Sequence, residues 1–402
     1  MTGKDSRMSS VKFNFIPRAI ASTIDNRLKH YPVVSLTGPR QSGKSTLLQH
    51  QYPDYNYVSL EDPAMRLFAL EDPQGFLNAY KAPAIIDEAQ RVPELFSYLQ
   101  GIVDEAGQTG MYILSGSHNF LLMQSITQSL AGRVGILRLL PFSLAELQAA
   151  DNSPPDLDSW LHTGGYPRIY KTRNCPKTYY DDYIETYLQR DVRQVKNISD
   201  LSVFLRFMKL CAGRTGQLLN LDSLASDGGI DVKTVRSWLS VLEASYVTYL
   251  LAPHHKNFNK RLIKSPKLYF YDTGLAAALL GIANPAQLNT HYLRGGLFEN
   301  MVISEYLKSA YNKGKKGSAT FWRDSNKKEV DLLVGQDSNL HAFEIKSSAT
   351  YSSNFFDTLN SFGELADIPI EQRALLYGGD KMLPTSHGKA IPWRDIPKAF
   401  DL

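Results

Sequence analysis

The 402-residue sequence holds only two cysteines, Cys175 and Cys211, too few for a disulfide scaffold or a thiolate metal framework. It also lacks any uninterrupted apolar run near the ~18 residues that a membrane helix needs. The best candidate, TGLAAALLGIA from Thr273, is short and reads as a buried helix. The opening stretch MTGKDSRMSSVKFNF has no apolar core of the kind a secretory leader carries. These absences lead us to expect a cytoplasmic protein with no membrane partner. Internal repeats and low-complexity tracts are missing too. So is a strong charge imbalance: the net charge of +4 permits a nucleic-acid partner without arguing for one.

What is present is globular, with 43% apolar and 21% charged residues. The length implies two or three domains. Up to about residue 150, short apolar runs alternate with helical ones: VVSLT (33–37), YNYVSL (55–60), PAIID (83–87), MYILSG (111–116) and VGILRLL (134–140). That alternation predicts a parallel sheet covered on both faces. Ile20, Ile24 and Leu28, at four-residue spacing, predict a helix before the first strand. The polar DNSPPDLD (151–158) reads as a linker, and the pattern is helical from Tyr179 to Leu251. The expected divisions are a tail (1–16), a P-loop domain (17–150), a helical connector (151–200), a helical domain (201–266) and a mixed α/β domain (267–402).

Gly38-Pro39-Arg40-Gln41-Ser42-Gly43-Lys44-Ser45 has the G-x-x-x-x-G-K-[ST] spacing, after a strand and before the helical run that opens with Thr46. The glycines let successive N–H groups point at phosphates, and the helix N-terminus adds a positive dipole end. Lys44 is expected on the β- and γ-phosphates of ATP, and the Ser45 hydroxyl on Mg2+. The apolar strand Ala84-Ile85-Ile86 ends in Asp87-Glu88. There Asp87 serves the metal, and Glu88 polarises the attacking water. Ser117 or Asn119, with Ser115 a weaker option, are candidates for sensing the γ-phosphate. Arg133 is a candidate for stabilising charge developing there, in cis or across a subunit interface of a homo-oligomer, with Arg138 less favoured. An arginine paired with a surface acid is the plain alternative.

Residues 218–225, the turn Asp227-Gly228-Gly229-Ile230 and the run from Asp231 to Glu243 form a helix-turn-helix pattern. Asp231 can cap the second helix, with Val235, Leu239 and Leu242 facing the core and Lys233, Thr234, Arg236 and Ser237 facing out. Those outward types contact phosphates and base edges in DNA-binding helices, although a module used for packing or protein contacts reads the same way. Between His254 and Lys267 lie Lys256, Lys260, Arg261, Lys264 and Lys267, with Phe258 among them and no acid. Such a run can line a phosphate-tracking surface or be a solvated face.

Further on, Glu299 and Glu305 lie on an apparent helix, Asp331 in a strand, and Glu344-Ile345-Lys346 in the next. This is the PD-(D/E)xK nuclease constellation without the proline before Asp331. Strand alternation puts Glu344 and Lys346 on one face. Asp331 and Glu344 can ligate magnesium, Glu299 can support a metal-bound water, and Lys346 can activate the nucleophile. An active nuclease, a nuclease-like fold with a silent site, and a chance set of strand-end acids all remain open. Nearby Trp322, Arg323, Lys327 and Lys328 are candidates to touch nucleic acid.

Taken jointly, GPRQSGKSTLL, AIIDEAQ, ILSGSHNFLL, LAGRVGILRLLPFSLAEL, YIETYLQRDV, PKLYFYDTGLAAALLG, GGLFENMVISEYL, EVDLLV and AFEIKSS resemble a bacterial and archaeal family of AAA+-type ATPases. Its members join an N-terminal ATPase domain to a C-terminal domain of unknown function, and the resemblance covers roughly residues 15–400. It implies an α/β chain: a P-loop ATPase with a parallel sheet, a central winged-helix-like segment and a C-terminal nuclease-like domain. ATP with Mg2+ is the expected cofactor. Two functions follow as expectations: an ATPase acting on or with DNA, or an ATP-controlled switch or scaffold that contacts a protein partner.

Overall fold

The structure is a computed structural model that describes residues 15–117, 126, 128–172, 175–187, 198, 200–254, 264–336 and 339–401. The first part forms a parallel five-stranded sheet of β1 (Val33–Thr37), β2 (Asn56–Ser59), β3 (Ala84–Asp87), β4 (Tyr112–Gly116) and β5 (Val134–Arg138), in the order β2-β3-β4-β1-β5. Strands β1, β3 and β4 are buried throughout, as continuous apolar runs in a covered parallel sheet should be. Alternate residues go to opposite faces. Val33, Ile86 and Leu114 pack with Phe96 and Leu99, whereas Val34, Ile85 and Ile113 pack with Ile20, Ile24 and Leu48. The helices of this part are α1 (Ala21–Leu28), α2 (Lys44–Gln51), α3 (Pro63–Glu71), α4 (Pro73–Ala79), α5 (Leu95–Ala106) and α6 (Leu144–Ala149).

The middle is helical: α7 (Leu157–Thr163), α8 (Pro167–Thr172), α9 (Pro176–Tyr187), α10 (Leu201–Ala212), α11 (Leu221–Gly228) and α12 (Val232–Ala244). Gly229, at φ 65°, closes α11 in the left-handed region, where an L side chain is strained. Asp231 then caps α12 by accepting from the Thr234 amide at 2.9 Å. Val235, Leu239 and Leu242 are buried, as the periodicity predicts.

The helical pattern expected to run to Leu251 stops earlier, because Thr248–Pro253 is strand β6. It pairs antiparallel with β7 (Lys267–Phe270) and parallel with β8 (Ala319–Arg323). Around them lie α13 (Thr273–Leu279), α14 (Arg294–Asn312), β9 (Glu329–Val334), β10 (His341–Lys346), α15 (Asp357–Ala366), β11 (Arg373–Tyr377), β12 (Leu383–Thr385), β13 (Gly388–Pro392) and α16 (Ile396–Ala399). One eight-stranded sheet, β12-β13-β11-β10-β9-β8-β6-β7, results. The division expected between residues 266 and 267 therefore cuts a hairpin whose two strands belong to that sheet.

The parts pack on one another. The buried Glu305 carboxylate on α14 accepts from the Leu144 amide at the start of α6 at 2.8 Å. Arg294 on the same helix pairs with Asp158 on α7 at 2.9 Å. Cys175 and Cys211 are both free thiols, and burial pushes the Cys211 thiol up to about 12.

Candidate functional site

The P-loop joins β1 to α2. A Cβ on Gly38 would lie 2.0 Å from the Leu139 carbonyl oxygen, so only glycine lets the loop pass that strand end. Gly43 stands at φ 94° as the N-cap of α2, which leaves the first amides of the helix open to an anion. Lys44 is buried, and its ammonium donates to the Gly38 and Pro39 carbonyls, each at 2.9 Å. Arg18 braces the loop from behind. It pairs with Glu146 at 3.0 Å and donates to the Ser42 carbonyl at 2.8 Å and the Leu140 carbonyl at 2.6 Å.

Strand β4 lies between β1 and β3, so Asp87, Ser115 and Thr37 lie at the same end of neighbouring parallel strands. The Ser45 hydroxyl donates to Asp87 Oδ2 at 2.6 Å, and Tyr57 donates to the same oxygen at 2.8 Å. Ser115 donates to Asp87 Oδ1. Burial, and then the Asp87 charge, hold the Tyr57 hydroxyl well above the usual phenol range. Glu88 turns at φ 54° beyond the strand. Its carboxylate accepts from Gln90 at 2.5 Å and from Ser117 at 3.2 Å. The hydroxyl and carboxylate oxygens of Ser45 and Asp87 are the donor types that magnesium takes. Asn119, the other sensing candidate, lies outside the described residues.

A cleft of about 740 Å3 opens over the loop. Its walls include Arg40, Gln41, Thr46 and Glu88, and also Arg168, Lys171, Tyr183 and Tyr187 from α8 and α9. Tyr179 of α9 donates to the Gln41 side chain at 2.9 Å. Sequence reading missed Arg18, Tyr57, Arg168 and Lys171 because only the fold brings them to the loop.

Arg133 requires a correction. Val33 and Val134 are partners at the start of their strands, whereas the P-loop follows the end of β1, about 13 Å away at ~3.3 Å per residue. Arg133 pairs there with the exposed Asp104 at 2.5 Å. It cannot serve the site of its own chain, and its contact is the plain alternative, an arginine paired with a surface acid. Arg138 is at the P-loop end, but its guanidinium lies over the Tyr311 ring, 5.2 Å from the centroid.

Asp331, Glu344 and Lys346 of the second constellation lie near one another, and Lys267 lies beside them. Asp331 Oδ2 accepts from the Ile345 amide at 2.8 Å, and Lys346 donates to Glu344 Oε1. Glu344 Oε2 is buried with no hydrogen-bond partner among the described residues. Burial, then the Glu344 and Glu299 charges, hold the Asp331 carboxyl well above the carboxylate range. Burial raises Glu344 too, against the pull of Lys346. An orphaned buried oxygen beside a second carboxylate fits one divalent cation on the Asp331–Glu344 side. Glu299, expected to support a metal-bound water, is instead committed to Lys267 at 2.7 Å and to the Tyr269 hydroxyl at 2.5 Å.

Lys267 corrects a second expectation. It is 2% exposed rather than part of a phosphate-tracking surface. Burial opposes its charge, but Glu299, Asp331 and Glu329 overcome that and raise its pKa above that of an ordinary lysine. Trp322 is likewise buried against Phe362, and Arg323 pairs with Glu329 at 2.8 Å, so only Lys327 and Lys328 of that group are exposed. On α12, Lys233 and Arg236 are exposed, and the Thr234 hydroxyl donates to Asp231. Lys264 is exposed, while Lys256, Phe258, Lys260 and Arg261 lie outside the described residues.

Two uncharacterized proteins, of Mycobacterium bovis and Mycobacterium tuberculosis, are each 30% identical to this chain over 376 residues, covering 92% of it and 81% of their own length. The chain belongs to their family. In this chain, residues 30–148 match the model of an AAA domain, and residues 154–286 and 294–396 match two domains of unknown function, DUF8612 and DUF4143. The N-terminal part is thus an AAA-type P-loop ATPase domain, of the kind that binds nucleotide. Among solved structures, the Walker-type ATPase of Pyrococcus abyssi is similar at 16% identity, covering 68% of this chain and 99% of that one, with a TM-score of 0.45. RuvB of Thermotoga maritima is similar at 17% identity, covering 57% and 88%, with a TM-score of 0.31. Among the described residues, no helix is long and apolar enough to cross a membrane.

Proposed function

We propose that this family member is a magnesium-dependent ATPase that acts on or with DNA. The observation that carries the ATPase reading is the Ser45–Asp87 contact at 2.6 Å, with Glu88 next in sequence and facing the same cleft. In this reading the P-loop amides and Lys44 hold the β- and γ-phosphates, and Ser45 and Asp87 hold the magnesium. Bound there, the metal neutralises phosphate charge. Glu88 takes a proton from the attacking water, Ser117 fixes the Glu88 carboxylate, and Arg168 and Lys171 close the cleft with positive charge.

The DNA half of the reading draws on α11 and α12 followed by the β6–β7 hairpin, a winged-helix-like order with Lys233 and Arg236 exposed on the second helix. Asp331, Glu344 and Lys346 would hold one divalent ion and a reacting phosphodiester. The ATPase domain would then supply control or energy rather than the final chemistry.

A second reading, an ATP-controlled switch or scaffold with a silent nuclease-like domain, is favoured by the commitment of Glu299 to Lys267. Turnover of ATP should be measured with duplex, single-stranded and branched DNA on the wild type, Lys44→Ala and Asp331→Ala. The first reading expects DNA to stimulate turnover in the wild type and Asp331→Ala, with none in Lys44→Ala. Absence of both DNA binding and stimulation would leave the second.

A further inference from the structure

Lys267 opens β7, immediately after the basic segment that joins the two strands of the hairpin. Its ammonium lies 2.7 Å from Glu299 Oε1, 2.5 Å from Glu329 Oε1 and 3.9 Å from Asp331 Oδ1. The three carboxylates come from α14 and β9, and each offers an oxygen within 4.8 Å of the other two. Oxygens bound to one ion at 2.0–2.6 Å have about that mutual spacing. The ammonium thus stands among the three carboxylates, in contact with Glu299 and Glu329 and farther from Asp331.

The surroundings are built around that charge. The Tyr269 hydroxyl donates to the Glu299 oxygen that Lys267 also reaches, and Arg323 takes the other oxygen of Glu329 at 2.8 Å. The Phe321 ring covers the ammonium, with its centroid 5.4 Å away. Carboxyl groups so close together repel one another when charged unless a cation stands among them. A lysine carries it without the geometric demands of a metal, and cannot dissociate.

We propose that Lys267 is the resident cation of this basin, filling the position that a divalent ion would take among Glu299, Glu329 and Asp331. Any metal at the C-terminal site is then confined to the Asp331–Glu344 side, a corollary that rests on the nuclease-like reading above, whereas the role of Lys267 does not. The β6–β7 hairpin thereby contributes a fixed positive charge to the sheet's acidic centre.

The test is a count of bound Mn2+ by electron paramagnetic resonance on the full-length, nucleotide-free chain carrying Asp87→Asn, which removes the ion of the P-loop site. Adding Lys267→Gln should gain one Mn2+ per chain, and adding Glu329→Gln to that should abolish the gain. Lys267→Gln should also melt higher in Mn2+ than in chelator, whereas the parent shows no such rise from this basin. An unchanged count overturns the proposal. So does a Lys267→Gln chain that stays unfolded in Mn2+ as well as in chelator, because the ion then cannot stand where the ammonium stood. The nuclease-like reading is judged separately: Mn2+ bound with Lys267 intact and lost in Glu344→Gln supports it, and none bound counts against it. The Mn2+ gained through Lys267→Gln should survive Glu344→Gln.

Discussion

The Tyr246 hydroxyl lies 2.7 Å from Oγ1 of Thr37, which joins the chain just after α12 to the last residue of β1 before the P-loop. Burial pushes that hydroxyl up to about 12, so it stays neutral at any physiological pH. Thr37 also donates to the Leu137 carbonyl at 3.3 Å, so it keeps a partner when Tyr246 is changed. Tyr246→Phe removes that hydrogen bond and the one with the Arg138 guanidinium, and should cost about 1–3 kcal/mol of stability. Under the DNA reading it should also lower the ratio of DNA-stimulated to basal ATP turnover, with basal turnover retained. An unchanged ratio would show that this contact transmits nothing.

Glu88 and Lys44 face the same cleft but should fail differently. Glu88→Gln is expected to bind ATP and lose turnover by about 100-fold or more, the usual worth of a positioned base. Lys44→Ala should lose affinity as well as turnover. Equilibrium binding of a fluorescent ATP analogue beside steady-state hydrolysis separates the two.

Arg18 is buried with Glu146, and their side chains are 4% and 3% exposed. Arg18→Ala leaves Glu146 without its cation and frees the Ser42 carbonyl of the P-loop. The expected cost is about 3–5 kcal/mol in denaturant unfolding, together with weaker nucleotide binding. A loss below about 1 kcal/mol would mean that the pair contributes little net stability.

Asp331 and Glu344 give the chain a pH signature. Their folded pKa values lie above the unfolded ones, chiefly through burial, so above about pH 4 the folded chain holds protons that the unfolded chain has released. Their contribution to stability is full below that point and is lost as pH rises through the folded values. Asp331→Asn removes part of this loss while an amide oxygen can still accept from the Ile345 amide. In chelator it should melt above the wild type near neutral pH, by roughly 2–4 °C per kcal/mol relieved, with the gap closing toward about pH 4. A gap that does not change with pH would contradict the assignment.

Arg133 offers a test of assembly. Its place at the far end of β5 predicts that Arg133→Ala leaves ATP turnover unchanged at high dilution. If the residue acts across an interface, turnover per chain in the wild type should climb with protein concentration and Arg133→Ala should flatten the curve. A fall at all dilutions would require a route from Arg133 to its own P-loop.

The features legible in the sequence are those held within a few residues. The P-loop, the Asp87-Glu88 strand end, the Asp231 cap and the five strands all announce themselves by local spacing. The Glu344–Lys346 pair does too, because alternation on a strand is a local rule. Lys267 was illegible for the opposite reason: a lysine in a basic run reads as solvated, and its partners come from positions 299, 329 and 331. Arg18 is silent in the same way, with its carboxylate 128 positions away. For Arg133 the residue type was suggestive, but spacing alone does not say which end of a strand faces the nucleotide.

Strand β6 pairs with β7 on one side and with β8 on the other. That arrangement bears on how such a chain can be inherited. A gene fusion or recombination event that split it at residue 266 would leave β6 in one fragment and both of its partners, β7 and β8, in the other, each with a raw strand edge. Shuffling of the ATPase domain onto other partners would succeed where no sheet is crossed, near the polar stretch at 151–158. From there onward, helices and sheet would have to travel together.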